Sequence, residues 1–271
     1  MANVQTETQI NGLGTIMYCN DSAFDTASKA VLKKSDELIS FRDLAYARIQ
    51  DAKAHDGNWK ESSLCTNGSY VKEGSLFVPN ASNKRIWLRE SIVLKNPSDA
   101  VSAHKKGDEY LLKRFKVESH LEKVGSDNYL VLTDTSAVPT NRFGEDARTV
   151  WAFSDQAPAY GQLLQDAKIS KMNIYMHTGD DKHIDSQSKP FANQLWLYRL
   201  DVDSDISSSS RDLGNVNGVR GVRRDAEGVV AQKSADLYSP QEFLKATESL
   251  GITISGDLEK KLRTTLKDLR K

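Results

Sequence analysis

Cysteine is scarce, neither sign of charge dominates, and no long apolar run is present. The two cysteines among 271 residues, Cys19 and Cys65, cannot form a disulfide framework. Each is expected to be a buried or incidental thiol. The 37 Lys and Arg balance 37 Asp and Glu, so no net field draws the chain to nucleic acid or to an anionic membrane. No apolar run reaches the roughly 18 residues that a membrane span needs. The start, Met1-Ala2-Asn3-Val4-Gln5-Thr6-Glu7, lacks the basic end and apolar centre of a signal peptide. Cytoplasmic synthesis is therefore expected; association with a virion stays open, since it needs no secretion signal. Gly-x-Ser-x-Gly, the phosphate loop, the dinucleotide fingerprint and zinc-ligand clusters are all missing. Neither catalytic residues nor a cofactor is expected. Apolar residues make up 38% of the chain, enough for a core at this length.

A further absence is local. From Leu197 to Asp225 there is no Lys, Glu, Gln, Met or Trp. About six would be expected in a window of this length at ordinary composition. A disordered linker would be enriched in Lys, Glu and Gln, not emptied of them. The residues that do occur there, Asp, Ser, Asn, Gly, Arg, Tyr, Val, Ile and Leu, can all be reached by changing only the adenines of an Asn codon. The five missing types cannot. The stretch is framed by two apolar, extended-looking runs, Leu195-Trp196-Leu197-Tyr198 and Gly218-Val219-Arg220-Gly221-Val222-Arg223. Turn-forming residues between two such runs predict two strands with a long excursion between them. An excursion that long in a compact domain is usually functional or disordered.

Trp196, the polar stretch and the closing Gly-Val-Arg pairs resemble the end of a C-type-lectin-like domain of the formylglycine-generating-enzyme-like type. More narrowly, they resemble the variable region of diversity-generating-retroelement target proteins. In that family a glycine-aromatic-arginine pattern follows the variable stretch; here Val219 and Val222 replace the aromatic residue. The resemblance implies an α+β fold, a C-type-lectin-like domain with flanking N- and C-terminal helices. It implies a ligand-binding, receptor-recognition protein whose hypervariable polar surface, 198–217, engages a protein or cell-surface ligand, as on a virus or phage. Tyr198, Arg199, Asp201, Asp203, Asp205, Ser207, Ser209, Asp212, Asn215 and Asn217 are the candidate ligand contacts. Side-chain alternation on strands lets only some of them face outward together. Trp196, Gly218, Arg220, Gly221 and Arg223 are the candidate scaffold. The calcium-lectin sugar motifs, Glu-Pro-Asn or Gln-Pro-Asp with Trp-Asn-Asp, are absent.

Three regions are expected: an N-terminal helical region at 1–69, the ligand-binding domain at 70–230 and a C-terminal helical segment at 231–271. Val31, Leu32, Leu38, Ile39, Leu44, Ala45 and Ile49 predict one amphipathic helix from near Ala27 to near Ala54. Asn96-Pro97 predicts a helix start, and Gly107 its stop. Short strands are expected at 14–19, 76–78, 85–89, 110–117, 129–133 and 172–176, with helices at 150–153 and 157–167. Arg85-Ile86-Trp87-Leu88-Arg89 alternates, as in a half-exposed strand. Ser239-Pro240 and Ser255-Gly256 predict two last helices, and 24–54 or 239–270 would be the route to a homo-oligomer.

Two other groups of residues bear on chemistry. His177, Asp180, Asp181, His183 and Asp185 gather imidazoles and carboxylates that suit a metal or acid-base work. Their spacing matches no motif with a mechanism, and a solvated loop is the simpler expectation. A metal-dependent hydrolase using this loop is the alternative function, and a non-catalytic structural or assembly protein is another. Asp201-Val202-Asp203-Ser204-Asp205 looks like the start of a calcium loop, but Ile206 stands where glycine is needed and Asp212 where a bidentate Glu is usual. No metal is expected there.

Overall fold

The N-terminal polar segment folds as a hairpin in the computed structural model, which describes residues 2–175, 181–200, 204–208, 213–215 and 218–224. Strands β1 (Gln5–Ile10) and β2 (Gly14–Cys19) pair antiparallel. Gly12 at φ 76° and Gly14 at φ 124° make the turn, and glycine alone adopts such angles without a Cβ clash.

The helix predicted from Ala27 to Ala54 is two helices. Helix α1 (Phe24–Leu32) and helix α2 (Phe41–Ala54) are separated by β3 (Glu37–Leu38). The Ser35 hydroxyl donates to Val31 O at 2.9 Å and ends α1. The Ser40 hydroxyl accepts from the Asp43 N–H at 3.0 Å and starts α2, the usual chemistry of an N-cap. Glu37 and Leu38 meanwhile pair with residues 222 and 221. Both helices bury their apolar faces within their own unit, including Phe24, Val31, Leu44 and Ala45. Leu32, the last residue of α1, stays exposed.

The single turn of α3 (Ser63–Thr66) leads into β4 (Ser69–Phe77), a strand buried along almost its whole length. Next come β5 (Arg85–Leu88), α4 (Pro97–Lys105), α5 (Val117–Val124) and β6 (Tyr129–Val131). Ile86, Trp87 and Leu88 are all buried, so β5 is not half-exposed. The strand predicted at 110–117 reduces to one bridge, Leu111 with Phe191, and Val117 already opens α5. β7 (Val138–Pro139), α6 (Ala147–Phe153), α7 (Ala157–Asp166), β8 (Lys171–Met172) and β9 (Ile174–Tyr175) follow. The polar loop predicted at 177–190 contains α8 (Asp181–Ser186). β10 (Phe191–Leu197), β11 (Ile206–Ser207) and β12 (Val219–Arg223) complete the described chain.

The main sheet runs β1-β2-β12-β4-β10-β11-β9, with β3 on β12, β5 on β4 and β6 beyond β5. Successive side chains of β4 point to opposite faces. Tyr70 and Leu76 join a cluster with Phe24, Val31, Val101, Leu213 and Val219 on the side of α1 and α4. Val71 and Phe77 join Phe41, Leu44, Phe153, Tyr160 and Val222 on the side of α2, α6 and α7. Because β1 and β2 are part of this sheet, no boundary falls near residue 69. Residues 1 to 224 form one compact unit. The helices predicted after Ser239 lie outside the described residues.

Candidate ligand-binding face

The excursion between β10 and β12 is tied down at intervals. At its start, Leu197 pairs with Ile206 and Trp196 with Ser207. The Tyr198 N–H donates to Asp205 O at 2.9 Å, and the Leu200 N–H to Cys65 O at 2.8 Å. Further along, β11 lies parallel to β9, and the Asn193 amide donates to Ser208 O at 2.9 Å. Leu213 O accepts from the Phe24 N–H at 3.0 Å. The scattered apolar residues are the anchors: Leu200 is 1% exposed, and Ile206 and Leu213 are fully buried. Burying three such side chains favours the tethered state by about 1.5–3 kcal/mol each.

Polar side chains add internal staples. Asp205 Oδ1 accepts from the Asn173 backbone N–H at 2.7 Å and from its side-chain amide at 3.1 Å. The hydroxyls of Ser204 and Tyr160 share a hydrogen bond of 2.9 Å. Tyr160 in turn accepts from Arg48 Nη1 at 2.7 Å. The buried Arg48 guanidinium also donates to Leu64 O and Asn67 O, so α2, α3 and α7 are locked beneath the face.

The base of the face rests on Arg220. It is fully buried, and its Nε and Nη2 donate to the two carboxylate oxygens of Glu7 at 2.5 and 2.6 Å. Nη1 donates to Gly68 O at 3.0 Å, and the guanidinium lies 4.2 Å from the Tyr18 ring centre. Burial pulls the Arg220 pKa down, but the Glu7 charge and hydrogen bonds more than offset this and hold it above the usual range. Burial pushes the Tyr18 hydroxyl up, against the pull of Arg220. The bidentate fork is what arginine can do and lysine cannot.

The glycine spacing of β12 has a packing cause. A Cβ on Gly218 would lie 2.8 Å from Gly68 O and from the Tyr18 ring. One on Gly221 would collide with Ser35 Oγ and lie 2.5 Å from a Val31 methyl. Gly68 performs the same service for Trp196: a Cβ there would run into the indole. The Trp196 ring also meets Tyr70 edge-on, 4.8 Å between centres. Trp196, Gly218, Arg220 and Gly221 thus stand in the framework. Arg223 does not, because its side chain is exposed. Its neighbour Arg224 does the pairing instead, through Nη2 to Glu37 at 2.6 Å and to Asp43 at 2.8 Å.

Of the candidate contacts, Tyr198 is half-buried, and Arg199 and Asn215 are exposed. Asp205 and Ser207 are corrected: at 3% and 4% exposure they face inward. Asp205 accepts backbone and amide N–H groups, and Ser207 sits in β11 between two strands. Asp201, Asp203, Ser209, Asp212 and Asn217 lie outside the described residues, as do His177 and Asp180. Of the acids in the 177–185 loop, the two described ones are occupied. Asp181 Oδ1 pairs with Arg85 at 2.8 Å, and Asp185 takes Lys84 and the Asn80 N–H. Arg48 was detectable, since it falls in the buried stripe Leu44, Ala45, Arg48, Ile49, Ala52 of a helix. Glu7, Asn173 and Asn193 carry no local signal.

No family model and no curated protein matches the chain. Its structure is similar to a solved chain described under "Accommodation of massive sequence variation in Nanoarchaeota by the C-type lectin fold". The TM-score is 0.51 at 16% identity, over 83% of this chain and 98% of that one. The fold is the C-type lectin fold. Its mixed α+β architecture agrees with the expectation from Trp196 and the Gly-Val-Arg pattern. Among the described residues, no helix is long and apolar enough to cross a membrane.

Proposed function

We propose that this chain is a ligand-binding protein that presents residues 198–217 as an exchangeable recognition surface, diversified by a retroelement. The observation that carries this is the division of labour along the stretch. Leu197, Leu200, Ser204 to Ser208, Leu213 and Val219 are held by the framework, while Tyr198, Arg199 and Asn215 reach solvent between them. A surface fastened at intervals tolerates changes at the intervening positions without loss of fold. Tyr would supply area at low entropic cost, and Asn, Ser and Asp adaptable hydrogen bonds. The ligand would be a protein or a cell-surface group, met on a virion or a cell. The similarity to a fold reported to accommodate massive sequence variation supports the reading.

The test is a displayed library randomised at Tyr198, Arg199, Asp201, Asp203, Ser209, Asp212, Asn215 and Asn217, with Leu200, Asp205, Ile206 and Leu213 kept. Most members should fold, and selection on unrelated protein targets should yield distinct binders. Widespread unfolding of the library would refute the proposal. So would a gene lacking any near-identical partner repeat that differs from it only at adenines.

A further inference from the structure

Among the described residues, asparagine is followed by glycine at Asn11-Gly12 and at Asn67-Gly68. This pair loses ammonia readily, because glycine has no side chain to keep its backbone nitrogen away from the preceding side-chain carbonyl. The fold treats the two sites differently. Asn11 and Gly12 are both exposed, in the turn that joins β1 to β2. The turn is closed by the Leu13 N–H, which donates to Ile10 O at 3.1 Å, and the Tyr46 hydroxyl donates to Asn11 O at 3.0 Å. Neither contact holds the reacting groups: the Asn11 side chain and the Gly12 N–H make no hydrogen bond among the described residues. The hairpin is also the outermost pair of the sheet, since β1 stands at its end. Asn67, in contrast, is half-buried, and its side-chain amide donates to Ser63 O at 3.0 Å. Its backbone N–H goes to the same oxygen at 3.1 Å, and its carbonyl accepts from the buried Arg48 at 3.0 Å. Gly68 is pressed against the Trp196 ring. Asp56-Gly57, the acidic counterpart, has its glycine N–H engaged with Ala52 O at 2.9 Å.

We propose that Asn11 is a site of spontaneous covalent modification, converted to aspartate and isoaspartate in the folded protein, while the fold protects Asn67. The Gly12 nitrogen, as it gives up its proton, attacks Asn11 Cγ. A five-membered imide closes through the new N–Cγ bond, the Cγ–Nδ2 bond breaks, and Nδ2 leaves with that proton as ammonia. Water then adds to one of the two imide carbonyls. Opening at Cγ leaves aspartate, and opening at the main-chain carbonyl leaves isoaspartate, whose backbone is one carbon longer. Nothing is oxidised or reduced, and solvent water is the co-reactant. Either product puts a negative charge on the turn. The flanking Ile10 and Leu13 are 3% and 2% exposed, so the extra carbon of isoaspartate falls between two fixed anchors. The proposal does not depend on any role for residues 198–217.

The test incubates the full chain in mildly alkaline buffer, folded and in urea, and follows positions 11 and 67 by peptide mass spectrometry, which reads the exchange of amide for acid. In the folded protein Asn11 should convert at least tenfold faster than Asn67. In urea the two rates should converge to within about twofold, since both pairs then lie in open chain. The rate at Asn11 should rise with pH, because the attacking nitrogen must lose its proton. Asn11→Gln, whose imide would need a six-membered ring, should abolish conversion at this position with the circular dichroism spectrum unchanged. Equal rates at the two sites in the folded chain, a tenfold preference that persists in urea, a rate indifferent to pH, or undiminished conversion in Asn11→Gln would overturn the proposal.

Discussion

Glu73 offers the sharpest test of how this fold handles charge. It is fully buried in β4, and both carboxylate oxygens lie within reach of the Phe41 N–H, at 3.1 and 3.3 Å. Burial pushes its pKa from 4.5 up to about 8, with the Phe41 hydrogen bond and the Lys72 and Arg89 charges opposing. The acid is therefore protonated in the folded protein at pH 7 and ionised in the unfolded chain. Between about pH 4.5 and pH 8 the folded state holds a proton that the unfolded state has released. Stability from this group is complete below pH 4.5 and is lost as pH rises to about 8. The span of about 3.5 pH units, at about 1.4 kcal/mol each, gives a loss of about 5 kcal/mol. Glu73→Gln keeps an acceptor for the Phe41 N–H and removes the titration. Urea unfolding of both proteins at pH 5, 6, 7, 8 and 9 isolates the effect, because every other group cancels in the difference. The variant should gain on the parent by about 1.4 kcal/mol per pH unit up to about pH 8, then level off. A difference that stays flat from pH 5 to 8 would refute the reasoning.

Three further outcomes follow from the same geometry. Arg220→Met strands the buried Glu7 carboxylate and should cost about 3–5 kcal/mol in chemical denaturation; adding Glu7→Gln should return most of it, whereas two independent losses would show the pair is not coupled. Gly221→Ala drives a methyl into Ser35 and Val31 and should cost about 1–3 kcal/mol, visible as a lowered thermal midpoint; an unchanged midpoint would mean that α1 moves freely away from β12. Asp205→Ala leaves the Asn173 N–H without its acceptor and should cost about 1–3 kcal/mol, while Arg199→Ala and Asn215→Ala should change stability by no more than about 0.5 kcal/mol. Equal losses at all three positions would contradict the separation of anchors from displayed residues.

The sequence by itself determined the local signals. Asn96-Pro97 marked the start of α4, the run from Gly14 to Cys19 marked β2, and the apolar runs around Trp196 and Val219 marked β10 and β12. Trp196, the polar stretch and the closing Gly-Val-Arg pairs resemble the end of a C-type-lectin-like domain, and the structure shows that fold. These signals are legible because capping, strand propensity and glycine spacing act over a few residues. Tertiary structure alone decided which polar side chains face inward. Asp205 reads like its neighbours Asp201 and Asp203, yet Asn173, 32 positions away, makes it structural. Arg220 finds its counter-charge in Glu7, 213 positions earlier, in a segment that reads only as polar. The break between α1 and α2 depends in the same way on strand β12, far along the chain. A charged or hydrogen-bonding group states what kind of partner it needs, and only the assembled sheet supplies which one.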